Sequence, residues 1–588
     1  MHLSMYLSIA SCLVLGLASG GAISGNVVKR AASSCRYLPG DAEWPTRDAW
    51  DRLNSTVSGR LLATVPIAHV CHSPDFSQAA CSNITERWDL PGLMSPEPAE
   101  ILSIWFQNQS CTPFTNISTP CELGNYASYS INVSHSDHII AGLAFAQEKN
   151  IRVVIKNTGH DFFGKSTGKG ALSLWTRHLK SQEVILNYQS ALYAGPAIKF
   201  GAGITGGEAA QFAAKHGYRV VVGSCATVGL VGGFAQGGGH SFLSGLYGFA
   251  ADNVLEWEVV TAAGEHIIAT PEQNTDLYWA LSGGGGGTYG VVISMTARVF
   301  PDGKIALASL SFDSVTASGQ DRYWKSVHVF LQQLQPLVDN HGIVAEFIIT
   351  NDTLTLFGMM APGYGRHGLT TLLRPMMRAL KRTAPGITEE AVRFSTSDSM
   401  SYSKLYSKTV EPLTMNETFP PAVGGRFVSR ANMASNTSAI IDSLRATTYG
   451  GKFIVAATAL NVNGSGREVA PVADNAVEPA FHRAFMSLIV SAAWTPGRPW
   501  AEAIMLQDEL TNVIIPTLEA ATPGTGAYIN EANWQQPDWQ NTFYGNNYQS
   551  LRAIKAKYDP NHLFYGLTAV GSEAWAPDAS GRLCKTGL

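Results

Sequence analysis

The chain has 588 residues, with 41 Lys and Arg against 45 Asp and Glu, a formal net charge of −4, 15% charged and 45% hydrophobic residues. At about 100 to 200 residues per domain this length provides for two or three lobes, and the apolar share excludes a chain disordered throughout. Balanced charge leaves neither a basic footprint for nucleic acid nor a polybasic stripe for a membrane surface, so both partner classes are set aside.

In chain order, Leu3 to Leu17 is an apolar run of h-region length ending at Ala18-Ser19-Gly20, which predicts a signal peptide over residues 1–20. His2 is its only candidate positive charge, so an uncleaved anchor stays open as an alternative. The run is too short to span a bilayer, and no later stretch reaches about 18 uninterrupted apolar residues. Lys29-Arg30 reads either as a dibasic processing site or as a solvated pair. Cys12 would leave with the signal, and Cys35, Cys71, Cys81, Cys111, Cys121, Cys225 and Cys584 remain. Two pairs, Cys71/Cys81 and Cys111/Cys121, are close in sequence, while Cys35 and Cys584 sit near the two ends of the mature chain. Other connectivities are open, but three disulfides in that arrangement are expected, in the oxidising compartment of a secreted protein. Cys225 is then left over, in an apolar Gly-rich stretch where a buried inert thiol is the plain reading. Nine Asn-x-Ser/Thr sequons, at Asn54, Asn83, Asn108, Asn116, Asn132, Asn351, Asn416, Asn436 and Asn463, predict N-glycans on solvent-facing segments.

Residues 21–124 are Pro-, Cys- and sequon-rich with little periodicity, and read as a disulfide-stapled N-terminal extension. From 125 to 303 short β-branched runs alternate with Ala-rich helical stretches. Ser136 to Gln147 predicts a helix and Ile151 to Ile155 a strand leading into Asn157-Thr158-Gly159-His160. A helix over Gly206–His216, a strand over Tyr218–Val222 and paired strands Val254–Ala262 and His266–Ala269 follow. Residues 304–542 form a separate α/β block, and 543–588 a C-terminal segment in which Tyr544 to Lys557 has helical periodicity and stops at Tyr558-Asp559-Pro560.

Three glycine-rich segments carry the chemistry. Lys156-Asn157-Thr158-Gly159-His160-Asp161 follows a strand, where successive backbone N–H groups can form a nest for a diphosphate, with His160 beside the ligand. The second runs from Gly223-Ser224-Cys225-Ala226-Thr227-Val228-Gly229 through Gly232-Gly233-Phe234 to Gly237-Gly238-Gly239, letting backbone approach a flat ligand. The third, Gly283 to Gly287 with Thr288-Tyr289-Gly290, contains a formal G-x-G-x-x-G. A dinucleotide fingerprint needs a strand before the glycines and a helix after them; here a helical Thr275–Leu281 precedes and a strand from Val291 follows, so a Rossmann site is rejected and a nicotinamide-dependent dehydrogenase is disfavoured. No zinc spacing, G-x-S-x-G elbow or P-loop occurs, and no metal ligand is assigned.

These three segments in this order, with Tyr528-Ile529-Asn530 and Tyr558-Asp559-Pro560 near the C-terminus, resemble the FAD-linked oxidases of the vanillyl-alcohol oxidase/PCMH superfamily. Within it they resemble the berberine-bridge-enzyme-like branch and its fungal secreted isoamyl-alcohol-oxidase-like members, over roughly residues 35 to 575. The resemblance implies an α+β fold. A PCMH-type FAD-binding domain of two α/β subdomains would occupy 125–303, and a substrate domain over 304–542 would lay an antiparallel sheet over the flavin. The segment 543–588 would return to the FAD domain.

By position, His160 matches the histidine that attaches to the flavin C8 methyl, and Cys225 the cysteine that adds a second bond at C6 in bicovalent members. Ala226 departs from the usual proline. Asn157, Thr158, Gly159, Asp161, Gly164, Thr227, Val228, Gly229, Gly232, Gly233, Gly237, Gly238, Gly239 and Val291 are the further expected FAD contacts. Val228 matches the position where oxygen-reactive relatives carry valine, which favours O2 as acceptor. Tyr528-Ile529-Asn530-Glu531 resembles the family's Tyr-x-Asn-Tyr strand with Glu531 in place of the second tyrosine. A carboxylate near an apolar flavin face can have a raised pKa and act as general base, and a surface ion pair is the alternative for Glu531. Tyr528 and Tyr544 are candidates for orienting a substrate hydroxyl. The expectation is a secreted FAD oxidase that takes hydride from an alcohol-type or related small molecule, passes electrons to O2 and yields H2O2, with secondary-metabolite tailoring as its variant. A flavin- or carbohydrate-binding protein of the same fold without turnover is the competing one.

Overall fold

The computed structural model describes residues 34–88, 90–414 and 420–587; the predicted signal peptide, Cys12, Lys29-Arg30 and the Asn416 sequon lie outside the described residues. Near the start of the described chain a four-stranded sheet has the order β1 (Leu61–Ala63), β2 (Tyr129–Asn132), β4 (Leu172–Trp175), β3 (Val153–Lys156). Its β2/β4 and β3/β4 pairings are parallel. A helix over Ser136–Glu148 makes the crossover from β2 to β3 and buries Ile139, Leu143, Phe145 and Ala146. Burial on both faces explains why these strands read as continuous apolar runs rather than as alternation.

A second, antiparallel sheet follows, ordered β5 (Gln182–Gln189), β6 (Ala194–Gly201), β10 (Val291–Arg298), β8 (Val254–Val260), β9 (His266–Ala269). The expected strand over Tyr218–Val222 shortens to β7 (Tyr218–Arg219), which pairs with β11 (Phe300–Pro301). Val220 to Val222 are instead buried as connecting chain. The helix at Thr275–Leu281 and β10 after the third glycine segment give the helix-before, strand-after order that rules out a dinucleotide fingerprint.

The third sheet has seven antiparallel strands: β15 (Ser395–Ser399), β12 (Ile305–Asp313), β14 (Thr353–Pro362), β13 (Val344–Ile349), β17 (Phe453–Ala459), β18 (Ala484–Ala492), β16 (Val423–Ser429). Side chains alternate across a strand, so each strand feeds two environments. Ala345, Phe347, Leu356, Val455, Ala457 and Val490 enter a core shared with the helices Gln320–His341, Arg366–Thr383 and Arg430–Thr448. Their neighbours Glu346, Phe357, Ala456, Thr458 and Ile489 face a cavity on the other side.

The chain returns to the first core earlier than the expected 543, at Ala527 to Ala532, and already touches it at Leu460 and Ala476 to Ala484. What ties the tail down is a buried ion pair: Lys555 and Asp559, 2% and 0% exposed, meet at 2.6 Å. Lys555 Nζ also donates to the carbonyls of Thr288 (2.6 Å) and Phe564 (2.7 Å), and Asp559 accepts from the backbone N–H groups of Leu563 and Phe564. The lysine thereby binds the third glycine segment to the C-terminal turn. The single expected helix over Tyr544–Lys557 divides into Trp539–Tyr544 and Tyr548–Tyr558.

The disulfides are Cys35–Cys584, Cys71–Cys81 and Cys111–Cys121, in the expected arrangement. Among the described residues no helix is long and apolar enough to cross a membrane. Replacing Lys555 by Met leaves the Asp559 carboxylate buried without its cation and is expected to cost roughly 3–5 kcal/mol. Urea unfolding of wild type and Lys555→Met checks this; equal midpoints would contradict the lock.

Candidate active site

All three glycine segments and the outer face of the seven-stranded sheet meet around one cavity of about 320 Å³. Glycine is required where backbones touch: a Cβ on Gly286 would stand 2.9 Å from Gly233 Cα, and one on Gly237 would stand 2.6 Å from Asn530 Nδ2. Where the same segments line the cavity the situation reverses, and a Cβ on Gly287 would meet nothing within 4 Å. The loops are therefore fitted to one another on one side and open to a ligand on the other.

His160 and Cys225 both line this cavity, and Thr227 stands between them. The His160 Nε2 and Thr227 Oγ1 atoms are hydrogen-bonded at 2.7 Å, and Cys225 Sγ lies 3.4 Å from the same hydroxyl. Burial, with the charges of Arg177 and Lys156 nearby, pushes His160 down to about 3, so its imidazole is neutral and one ring nitrogen keeps a lone pair. Cys225 lies outside the three disulfides. Its loop is held from the other lobe: the Tyr406 hydroxyl reaches the carbonyls of Gly223 (3.1 Å) and Ser224 (2.9 Å). Thr158, Gly159 and Asp161 line the cavity. The Asp161 carboxylate accepts from the backbone N–H groups of Lys165 (2.6 Å) and Ser166 (3.2 Å), which shapes that turn. Asn157 donates to the Ala202 carbonyl, while its Oδ1 is buried with no hydrogen-bond partner in the protein.

The opposite wall carries Tyr528 and Glu531. The segment Tyr528 to Glu531 is a tight turn rather than the expected strand, closed by the Glu531 N–H donating to the Tyr528 carbonyl at 2.9 Å. Asn530 Nδ2 fixes it by donating to the Gly233 carbonyl and to the Tyr528 hydroxyl, both at 2.8 Å. That hydroxyl also accepts from Gly239 N at 3.1 Å, and burial pushes its pKa up. With its acceptor capacity engaged by Gly239 and Asn530, the Tyr528 O–H remains a donor. Glu531 is paired inside the cavity rather than at the surface: its Oε1 lies 3.0 Å from His240 Nε2. Burial pulls His240 down, but Glu531 and Glu346 more than offset it, and its pKa is raised.

Several expected positions move. Tyr544 is fully buried and does not line the cavity: its hydroxyl donates to the Thr568 carbonyl at 2.9 Å and its ring packs on Trp539 and Tyr548. Val291 is turned inward and Val292 lines the cavity in its place, because successive side chains of β10 alternate. Val228, Gly229, Gly232 and Gly233 line the cavity, whereas Gly164, Gly237, Gly238 and Gly239 support it from behind. His240 and Glu346 lie at the site without having been expected there. His240 directly follows the Gly237–Gly239 run, a signal available in the sequence; Glu346 has none, because only strand register aims it at the cavity.

The architecture, with a parallel and an antiparallel sheet around glycine loops under a seven-stranded cover, defines a flavoprotein of the vanillyl-alcohol-oxidase type. Residues 127–270 match the model of the FAD binding domain and 527–570 that of the berberine and berberine-like family. A bifunctional decalin synthase of Penicillium decumbens is 45% identical over 95% of this chain and 97% of its own. A VAO-type flavoprotein oxidase of Thermothelomyces thermophilus is 42% identical over 98% and 100%. The crystal structure of a VAO-type flavoprotein from Myceliophthora thermophila C1 superimposes with a TM-score of 0.89 at 42% identity, covering 94% of this chain and 100% of that one. The chain belongs to this family of FAD-linked oxidoreductases.

The residues fit FAD. The cavity is walled by backbone on the glycine side and Asn157 Oδ1 awaits a donor, while two nucleophilic side chains, His160 and Cys225, flank one hydroxyl. The pair on the far wall gives a pH test of the site. Since the folded state raises the pKa of His240, its contribution to stability is full below about pH 6.5 and is lost as the pH rises through the raised value. Urea midpoints measured between about pH 6 and 9 are expected to fall less steeply in His240→Gln than in wild type; parallel curves would contradict the pairing.

Proposed function

We propose that this protein is a secreted oxidase that holds FAD through His160 and Cys225 and removes hydride from an alcohol-type carbon, the electrons passing to O2 to give H2O2. The observation that carries it is the juxtaposition of a neutral His160 and the Cys225 thiol around Thr227 with a carboxylate, Glu531, across the same cavity. FAD when bound supplies a two-electron, hydride-accepting ring. The chain's own residues do the remainder: Glu531 takes the hydroxyl proton, the Tyr528 O–H orients the substrate oxygen, and Phe357, Ala456 and Ile489 exclude water.

The double link is supported by a structural neighbour, the glucooligosaccharide oxidase of Acremonium strictum, whose FAD is 6-S-cysteinyl and 8α-N1-histidyl. Oxygen as acceptor is favoured by Val228 on the cavity wall and by the oxidase among the relatives. The decalin synthase among them favours tailoring of a secondary metabolite. Secretion is supported by three disulfides, and glycosylation by the exposed sequons at Asn83, Asn108 and Asn116.

Intact mass after denaturation is expected to show FAD retained by wild type and by Cys225→Ala, and lost or weakened in His160→Ala. Peptide mapping should find one flavin link in Cys225→Ala and two in wild type, and Tyr406→Phe should lower the doubly linked fraction by loosening the Cys225 loop. Identical single-link maps in wild type and Cys225→Ala would remove the thiol bond. A panel of primary and benzylic alcohols is expected to bleach the flavin anaerobically and to release peroxide in air. Glu531→Gln should slow bleaching by about 100-fold or more. A wild type that no alcohol bleaches would return the protein to a binding role.

A further inference from the structure

Glu531 does not stand alone on its wall. His240 is 8% exposed against 19% for Glu531, and the two side chains meet at 3.0 Å. Both are placed by one hydrogen-bond network. Positive φ angles at Gly238 (+120°) and Gly239 (+78°) reverse the chain ahead of His240. The Gly239 N–H and the Asn530 amide meet at the Tyr528 hydroxyl, and Asn530 also holds the Gly233 carbonyl. The rings of Tyr528 (5.5 Å) and Phe481 (6.3 Å) stand edge-on to the imidazole. His240 Nδ1 and Glu531 Oε2 are buried with no hydrogen-bond partner in the protein, so the two side chains meet through Nε2 and Oε1, and Oε2 is the carboxylate oxygen left to face a substrate hydroxyl. The titratable groups facing His240 are Glu531 and Tyr528 of the turn and Glu346 of β13; the cavity's other charged side chains, Asp161 and Lys165, belong to the first glycine loop.

Resting on the role given above to Glu531, we infer that His240 is the positioning residue of the reaction: as an imidazolium it aims the Glu531 carboxylate at the substrate hydroxyl. As the substrate O–H and carbinol C–H bonds break and the carbonyl C=O forms, the proton forms a carboxyl O–H on Glu531, the hydride would be taken by oxidised FAD when bound, and His240 keeps its own proton throughout. A neutral imidazole would let the Nε2 proton move or the contact loosen, so turnover needs His240 charged. Two carboxylates around one imidazolium leave this wall without surplus positive charge, which suits an uncharged hydroxyl compound better than a carboxylate.

His240→Gln keeps an N–H donor and removes the charge. With whichever alcohol of the panel bleaches the wild-type holoenzyme, His240→Gln is expected to lower kcat about ten- to a hundredfold with little change in KM. The wild-type rate is expected to show an alkaline limb as His240 loses its proton at its raised pKa, and His240→Gln should abolish that limb. A histidine that serves only packing would leave that limb in place. Should His240→Gln not fold, 13C-histidine NMR of wild type and Glu531→Gln decides. His240 should titrate above 6.5 in the first and fall back in the second. An unchanged pH profile and rate in His240→Gln, a change in KM alone, or a His240 titration indifferent to Glu531→Gln would each overturn the inference. A Glu531→Gln protein that bleaches at the wild-type rate would instead overturn the role of Glu531 itself.

Discussion

Everything at the site depends on backbone meeting backbone. The second and third glycine segments are in direct contact at Gly233 and Gly286, and a Cβ on Gly283 would stand 2.2 Å from Val477 N, where the chain of the other lobe crosses. Such packing is open only to glycine, and it is held by remote groups, above all by Lys555, which joins the Thr288 carbonyl to the C-terminal turn. The energetic cost of ordering so many glycines is offset by a wall that brings main-chain groups to a flat ligand with no side chain in the way.

On that wall the reactive side chains are few and their electrostatic surroundings differ sharply. His160 lies among the positive charges of Arg177 and Lys156, which with burial push its pKa down; His240 faces Glu531 and Glu346, which raise its pKa against the effect of burial. The same residue type therefore supplies a lone pair at one end of the cavity and an imidazole that holds its proton more tightly at the other. The seven-stranded sheet makes this possible through alternation alone, since one face packs on helices while the other offers Glu346 and a smooth apolar surface.

Much of this was legible in the sequence. The glycine segments and the spacing of the cysteines are local signals, and they led to the first loop with His160 beside a ligand and to the three disulfides, while the family resemblance, not any local signal, pointed to Cys225. What escaped is long-range. Tyr544 falls beside the predicted site in sequence, yet its hydroxyl is taken by Thr568. Tyr528 to Glu531 reads as a strand, but Asn530 pairs with Gly233, almost three hundred residues earlier, and that pairing bends it into a turn. Glu346 reaches the cavity only through the register of β13 with β17. Val291 and Val292 are indistinguishable as residues, and only the pleat decides which one meets the ligand.

The central claim is that one FAD lies between the glycine loops and the sheet, with His160 and Cys225 at one edge and the His240–Glu531 pair facing the reacting part of the ring. Electron density from crystals of the purified, coloured protein tests this most directly. The account predicts an isoalloxazine ring continuous with the His160 imidazole and the Cys225 sulfur, with the Glu531 carboxylate across the substrate space from it. A flavin joined elsewhere, or a ring lying with Glu531 outside its pocket, would contradict it.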